Sequence, residues 1–181
     1  MLRPFTDVDR EPFFALHTHP LVVESMGSAP SRAECDTNVD FIMDEMDHQR
    51  WGLWAVDIAG GPTFVGVVGL HRVTAALPCF GEVEAEWRLH PDHWGLGYAT
   101  EAAEAALHFG FEVGGLREII AFTASLNVRS QAVMTRLGMV RDVAGDFDHP
   151  GLPQGSPLRR HVLYRISAPS SSSQVSPSVA S

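Results

Sequence analysis

From Glu82 to Leu89 the chain alternates without a break, with Val83, Ala85, Trp87 and Leu89 on one side and Glu82, Glu84, Glu86 and Arg88 on the other. A two-residue period of this kind marks a β-strand whose two faces meet different surroundings. A glycine-bearing loop follows. A helix then begins near Ala99, with Ala102, Ala106, Phe109 and Val113 on one face, and stops at Gly114-Gly115. Ile119 to Ala124 is a nearly continuous apolar run, as expected of a buried strand. A strand, a helix and a strand in this order imply parallel pairing through a right-handed crossover. The centre of the chain is thereby committed to an α/β arrangement.

The flanks supply antiparallel partners. Leu2 to Thr6 reads as a short strand, and Asp7 opens a helical stretch carrying Phe13, Leu16 and Leu21. A second helix is expected from about Ser31 to Gln49, with Val39, Ile42, Met43 and Met46 on its stripe. Gly52 to Ile58 and Phe64 to Val73 form a hairpin about the turn Ala59-Gly60-Gly61-Pro62. Asn127 can cap a further helix that ends in Leu137-Gly138-Met139, and Val140 to Phe147 and Arg160 to Ile166 supply two final strands. The expected fold is α/β, a mixed and mostly antiparallel sheet with one parallel strand-helix-strand unit and helices on both faces. Residues 1–166 suit one domain. Residues 167–181 are Ser, Pro, Ala, Val and Gln without charge, and are expected to form a disordered tail.

Composition narrows the function classes. Acidic residues outnumber basic ones by 22 to 13, a formal charge of −9, which disfavours a nucleic-acid partner and favours a cationic one such as an amine. Cys35 and Cys79 lie far apart and outside metal-type spacings, which suggests a reducing compartment. No signal-like segment or membrane-length apolar run is present, so the cytoplasm is expected and a membrane partner is not. His17-x-His19 and His90-x-x-His93 lack an acidic partner at a known metal spacing, and no metal is expected.

The segment Pro91 to Ala102 carries the chemistry. Gly95, Gly97 and Ala99 occupy alternate positions with Leu96 and Tyr98 between them, and Thr100 and Glu101 follow at the helix start. Glycine lets backbone approach a ligand, while the helix end presents free N–H groups and a positive dipole. Together these can hold a pyrophosphate. Glu101 is expected to point away from it. The segment lacks the Gly-Lys-Ser/Thr ending of a P-loop and has no G-x-G-x-x-G, so neither nucleotide motif fits.

Read as Trp94-x-x-Gly97-x-Ala99, the segment resembles motif A of the GCN5-related N-acetyltransferases, [Q/R]-x-x-G-x-[G/A], with Trp94 in place of the usual Gln or Arg. The fuller Trp-Gly-x-Gly-x-Ala-Thr-Glu-Ala, the pair Asn127-Val128-Arg129-Ser130 and Leu137-Gly138-Met139, and the opening Leu2-Arg3-Pro4-Phe5 are similar to the ribosomal-protein N-terminal acetyltransferase branch. The resemblance spans about residues 2–166. It implies acetyl-CoA as co-substrate and an amine acceptor, either a protein N-terminus or a small molecule, with a homodimer as one state open to the chain.

The same resemblance implies site roles. Backbone N–H groups from Gly95 to Thr100 would hold the pyrophosphate. The strand at Trp87 to Leu89 would align the pantetheine arm and polarise the thioester. Asn127 would contact the cofactor, and Arg129 would either neutralise a terminal phosphate or stand as a solvated arginine. Ser130 would be the acid, although it could equally be a plain first-turn residue behind an Asn127 cap. For the base, the glutamate row points to Glu84, then Glu86. Carboxylates roughly 7 Å apart along a strand repel and raise at least one pKa. The alternative is a solvated face on which Arg88 pairs with Glu86. His149 and His161 are specificity candidates, with ordinary turn and strand roles as the alternative. A non-catalytic acyl-CoA sensor and a nucleotide-binding module are the rival functions.

Overall fold

A computed structural model describes residues 1–49, 51–74 and 76–169. The expected tail therefore lies largely outside the described residues. Its first residues do not: the last strand runs to Ser167, and Ala168 N–H donates to Arg117 O at 2.8 Å.

The strands are β1 (Leu2–Arg3), β2 (Leu53–Val56), β3 (Gly66–Arg72), β4 (Val83–Leu89), β5 (Glu118–Ala124), β6 (Val140–Arg141), β7 (Phe147–Asp148) and β8 (Arg160–Ser167). They form one sheet in the order β1-β2-β3-β4-β5-β8-β6, with β7 also paired to β8. Every pairing is antiparallel except β4 with β5, as the crossover requires.

Helices cover both faces. On one lie α1 (Arg10–Thr18), α2 (Pro20–Met26) and α3 (Arg32–Gln49), whose Phe13, Leu16, Val22, Cys35, Val39 and Ile42 pack with Ala55, Phe64 and Val67. On the other lie α4 (Tyr98–Glu112) and α5 (Val128–Arg136). Ala102 and Ala103 of α4 meet Val68 and Leu89, while Met134 of α5 meets Ala121, Val162 and Tyr164. Burial of each large apolar side chain contributes about 1.5–3 kcal/mol. Gly110 lets α4 press onto the sheet, since a Cβ there would come within 2.6 Å of Leu70 and 3.0 Å of Ile119.

Four details differ from the sequence reading. The helical stretch after Asp7 breaks at His19-Pro20 into α1 and α2, and Leu21 is exposed. Proline at the first position of α2 starts a new helix and cannot continue the old one. Val113 is 69% exposed, because the buried stripe of α4 runs through Ala102, Ala103, Ala106, Leu107 and Gly110. The strand expected from Val140 to Phe147 is cut in two where the Asp142 carboxylate accepts from Gly145 N–H and folds a 3-10 turn. Only Leu2 and Arg3 of the first expected strand pair with β2.

The first strand is anchored by charge. Arg3 donates to both Asp9 carboxylate oxygens at 2.7 Å and, through Nε, to Asp57 at 2.8 Å. Among the described residues no helix is long and apolar enough to cross a membrane.

Candidate functional site

After β4, a 3-10 turn at Pro91–His93 leads to Trp94, whose indole N–H donates back to Leu89 O at 2.7 Å. Gly95 and Gly97 then adopt φ of +75° and +88°, a region L side chains rarely enter. A Cβ at either would meet no atom within 4 Å, so the glycines serve the turn and leave the space above it open. Gly97 caps α4 without a side-chain bond, and the helix's first internal bond runs from Glu101 N to Gly97 O. The N–H groups of Tyr98, Ala99 and Thr100 are thus the free donors at the positive end of α4. Leu96 and Glu101 are exposed.

Two cations from α5 flank this end. The Arg129 guanidinium lies over the Trp94 ring, 4.7 Å from its centroid, and Arg136 Nε donates to Thr100 Oγ1 at 3.2 Å. They offset the overall acidity of the chain at this one place. Arg136 is absent from the sequence reading. Its signal was its seven-residue spacing from Arg129, two helical turns on the same face.

Beside the cradle the sheet opens. Among the described residues β4 and β5 are paired only at Glu84↔Ile120, although the strands continue to Leu89 and Ala124. His90 N–H donates to Val65 O on the β3 side. By the two-residue alternation, the N–H groups of Trp87 and Leu89 face β5 across the unpaired gap. Both belong to the stretch Trp87 to Leu89 that the sequence reading singled out.

The glutamate row lies on the other face. Paired positions share a face, so Glu84, Glu86 and Arg88 join Ile120 and Phe122 there, opposite α4 and α5. The row is not a solvated face: Glu84 is 8% exposed, and each carboxylate has a cationic partner. Glu82 pairs with Arg165, Glu84 with His71 at 3.1 Å, and Glu86 with Arg88 at 3.1 Å and His71 at 3.5 Å. The Arg88 guanidinium also donates to His17 Nε2 at 2.6 Å, while His17 Nδ1 lies 2.8 Å from Phe13 O. An N–H on Nδ1 and a lone pair on Nε2 satisfy both bonds.

Burial pushes the Glu84 carboxyl up to about 7, with Glu86 a lesser contributor. Mutual repulsion, the cause read from the sequence, is therefore secondary. Burial acts the same way on Glu86, but Arg88 and His71 outweigh it and hold that carboxyl below its ordinary value. Burial opposes the charge on His71, yet its bond to Glu84 and the two carboxylate charges raise it to about 9. Burial, then Arg88, pushes His17 down to about 4, so it is neutral. His71 was missed in the sequence because only the β3–β4 register puts it opposite Glu84.

The remaining residues divide between the two faces. Asn127 caps α5, its Oδ1 accepting from Ser130 N–H at 3.2 Å, and Ser130 is half-buried in the first turn. It sits at the open end of the seam, on the α4–α5 side, whereas the row lies on the α1–α3 side. His149 and His161 join Phe122 and Phe147 in an aromatic group on the row's side, with His161 stacked on Phe147 at 5.5 Å and 5.0 Å from His149. The loop between β7 and β8 reaches α2, where Leu152 would lie 3.2 Å from a Cβ at Gly27. α1, α2 and this loop thus lie on the row's side of the sheet. Among the described residues no group of three or more His, Cys, Asp or Glu could hold a metal ion. An apolar cavity of about 400 Å³ between β1, Trp54 and α4 shares no residue with this site.

A family model described as acetyltransferase (GNAT) domain matches residues 1–140. The uncharacterized N-acetyltransferase YnaD of Bacillus subtilis (strain 168) is 42% identical over 89 residues, covering 48% of this chain and 51% of that protein. The chain therefore spans about half the length of that curated relative. A GNAT-family acetyltransferase from Bacillus anthracis matches in structure with a TM-score of 0.74 and 26% identity, over 92% of this chain and 93% of that one. Spermidine N-acetyltransferase from Vibrio cholerae, solved with CoA and spermine, has a TM-score of 0.72 and 17% identity over 92% and 94%. At that identity the likeness is one of fold.

Proposed function

The chain belongs to the acetyltransferase (GNAT) domain family, and on that premise we propose that it moves an acetyl group from acetyl-CoA to a primary amine by direct transfer. The observation that carries this reading is the open glycine turn at the start of α4, set beside a gap in the sheet between β4 and β5. A diphosphate and an extended amide-bearing arm are the two chemistries those features fit.

When bound, acetyl-CoA would supply the acetyl group as a thioester, and CoA would leave as the thiolate when the C–S bond breaks. The N–H groups of Tyr98, Ala99 and Thr100 hold the diphosphate, with Arg129 and Arg136 neutralising phosphate charge. Trp87 and Leu89 offer backbone N–H groups to the arm and to the thioester oxygen. A preorganised donor of that kind is worth about 3–4 kcal/mol in the transition state. Glu84, with Glu86 beside it, takes one proton from the ammonium; Ser130 gives one to the leaving thiolate and recovers one from the nitrogen as the new amide loses its second N–H proton. Base and acid on opposite sides of the seam suit a transfer in which amine and thiol lie on opposite sides of the acyl carbon.

The acceptor in this reading is a protein N-terminus, as in the ribosomal-protein branch, or a small-molecule amine met in the cytoplasm. One observation favours a second reading, a non-catalytic acyl-CoA-binding protein: every carboxylate of the row already has a cationic partner. Calorimetry with acetyl-CoA and CoA, followed by thiol release on a panel of amines and peptide N-termini, tests both. Absence of binding at about 1 mM overturns both readings, since even that contact corresponds to about 4 kcal/mol. Tight binding without thiol release from any amine favours the second.

A further inference from the structure

The groups around Glu84 form a closed set. From β3 comes His71, from its own strand Glu86 and Arg88, and from the loop before β4 Glu82 and the buried thiol of Cys79. Arg165 of β8 neutralises Glu82, and His17 of α1 is held neutral against Arg88. Ile120, the partner on β5, is apolar. The one cation in contact with Glu84 among the described residues is thus His71, at 3.1 Å, and the same Nε2 reaches Glu86 at 3.5 Å.

The register explains how one imidazole serves two carboxylates. His71 lies directly opposite Glu84, whereas Glu86 lies opposite Gly69, which offers no side chain. Gly69 is itself fixed, because a Cβ there would come within 2.2 Å of Gly52 O. The space over Glu86 is therefore left to its diagonal neighbour, within reach for a long side chain.

We propose that His71 is a positioning residue for proton removal, an imidazolium clamped between Glu84 and Glu86 that favours the ionised form of the buried Glu84 and holds one of its oxygens. This rests on the reading of Glu84 as the base of the acetyl transfer. The contact uses Oε2 of Glu84. Oε1 is left to accept one proton from the acceptor ammonium, which becomes the neutral amine as Glu84 becomes a neutral carboxylic acid. His71 keeps its own protons throughout. Without it, burial would favour the protonated acid, and Glu84 would enter the cycle already carrying the proton it should receive.

The first measurement is the titration of the His71 imidazole by NMR in the full chain, with the signal assigned by its loss in His71→Gln. The imidazole is expected to stay cationic to about pH 9, and Glu84→Gln should lower its titration by one unit or more. A His71 that titrates near 6.5 in the unaltered protein, or that ignores Glu84→Gln, overturns the proposal. The second measurement is the pH profile of thiol release with the best amine from the panel. In His71→Gln the acid limb should move up by about one to three units, a change that loss of packing alone would not produce. An unmoved limb in His71→Gln, with Glu84→Gln inactive, removes the role of His71 and leaves the base in place. Full activity in Glu84→Gln removes the base itself, and this role with it.

Discussion

Trp94 ties the loop to the strand it has just left: its indole N–H donates to Leu89 O at 2.7 Å, while Arg129 covers its ring at 4.7 Å. One residue thus sets where the glycine turn, the end of β4 and a cation of α5 sit relative to one another. Trp94→Phe keeps most of the apolar packing and removes the bond. A hydrogen bond of this type is worth about 1 kcal/mol, so CoA should bind about fivefold more weakly in calorimetry. Unchanged affinity would mean that the loop holds its shape without this tie.

Gly97 stands at φ +88° with open space around a would-be Cβ. The cost of Gly97→Ala is then one of backbone strain, about 1–2 kcal/mol, with no steric clash added. The expected outcome is a modest fall in thermal midpoint and at least a tenfold loss of CoA affinity, as the turn relaxes and the donors of Tyr98 to Thr100 swing away. A variant that melts lower but binds normally would show that the turn is a structural device only.

The Arg3 anchor should dominate N-terminal stability. The Asp9 side chain is 2% exposed, and burial works against its charge, yet the bonds from Arg3 and Thr6 win and keep its pKa below the ordinary value. Arg3→Met leaves that carboxylate buried without its cation, a change that costs about 3–5 kcal/mol in comparable cases. Urea denaturation at pH 7 should show it. Because the folded pKa of Asp9 is depressed, its stabilisation is present above the ordinary aspartate value and lost as pH falls through the depressed one. The gap between variant and parent should therefore narrow in acid.

His17 and His71 give the stability profile two opposite slopes. His17 is pushed down to about 4 when folded, so the unfolded chain takes up its proton first. Its contribution is complete above about pH 6.5 and declines toward pH 4, with a limiting slope of about 1.4 kcal/mol per unit. His71 is raised to about 9, so its contribution is full below about pH 6.5 and lost as pH rises through 9. Glu84, raised from 4.5 to about 7, opposes the His17 slope between about pH 4.5 and 6.5, so each limb is read by denaturation from pH 4 to 10 as a difference between parent and variant: His17→Gln should remove the acid one and His71→Gln the alkaline one.

What the sequence disclosed was mostly periodic or local. The alternation of β4, the glycine turn, the Asn127 cap and the left-handed Gly138 stop depend on neighbours a few residues apart, and each is found where the pattern placed it. What it concealed depends on register and packing. His71 meets Glu84 because β3 and β4 align at that pair, and no local pattern states which residues face each other across a hairpin. Val113 continues the apolar spacing of α4 but lies past the sheet it would cover, at 69% exposure. The break after Arg141 depends on one carboxylate, Asp142, choosing its own backbone over a continuing strand.

The β4–β5 gap has a mechanical consequence. Among the described residues two half-sheets meet at a single rung, Glu84 with Ile120, so a ligand filling the space above it would act as a wedge of borrowed architecture between them. Whatever occupies that place binds the folded form alone, and the melting temperature should climb with its concentration. In a living cell the lifetime of this protein against proteases would then rise and fall with the supply of its own co-substrate.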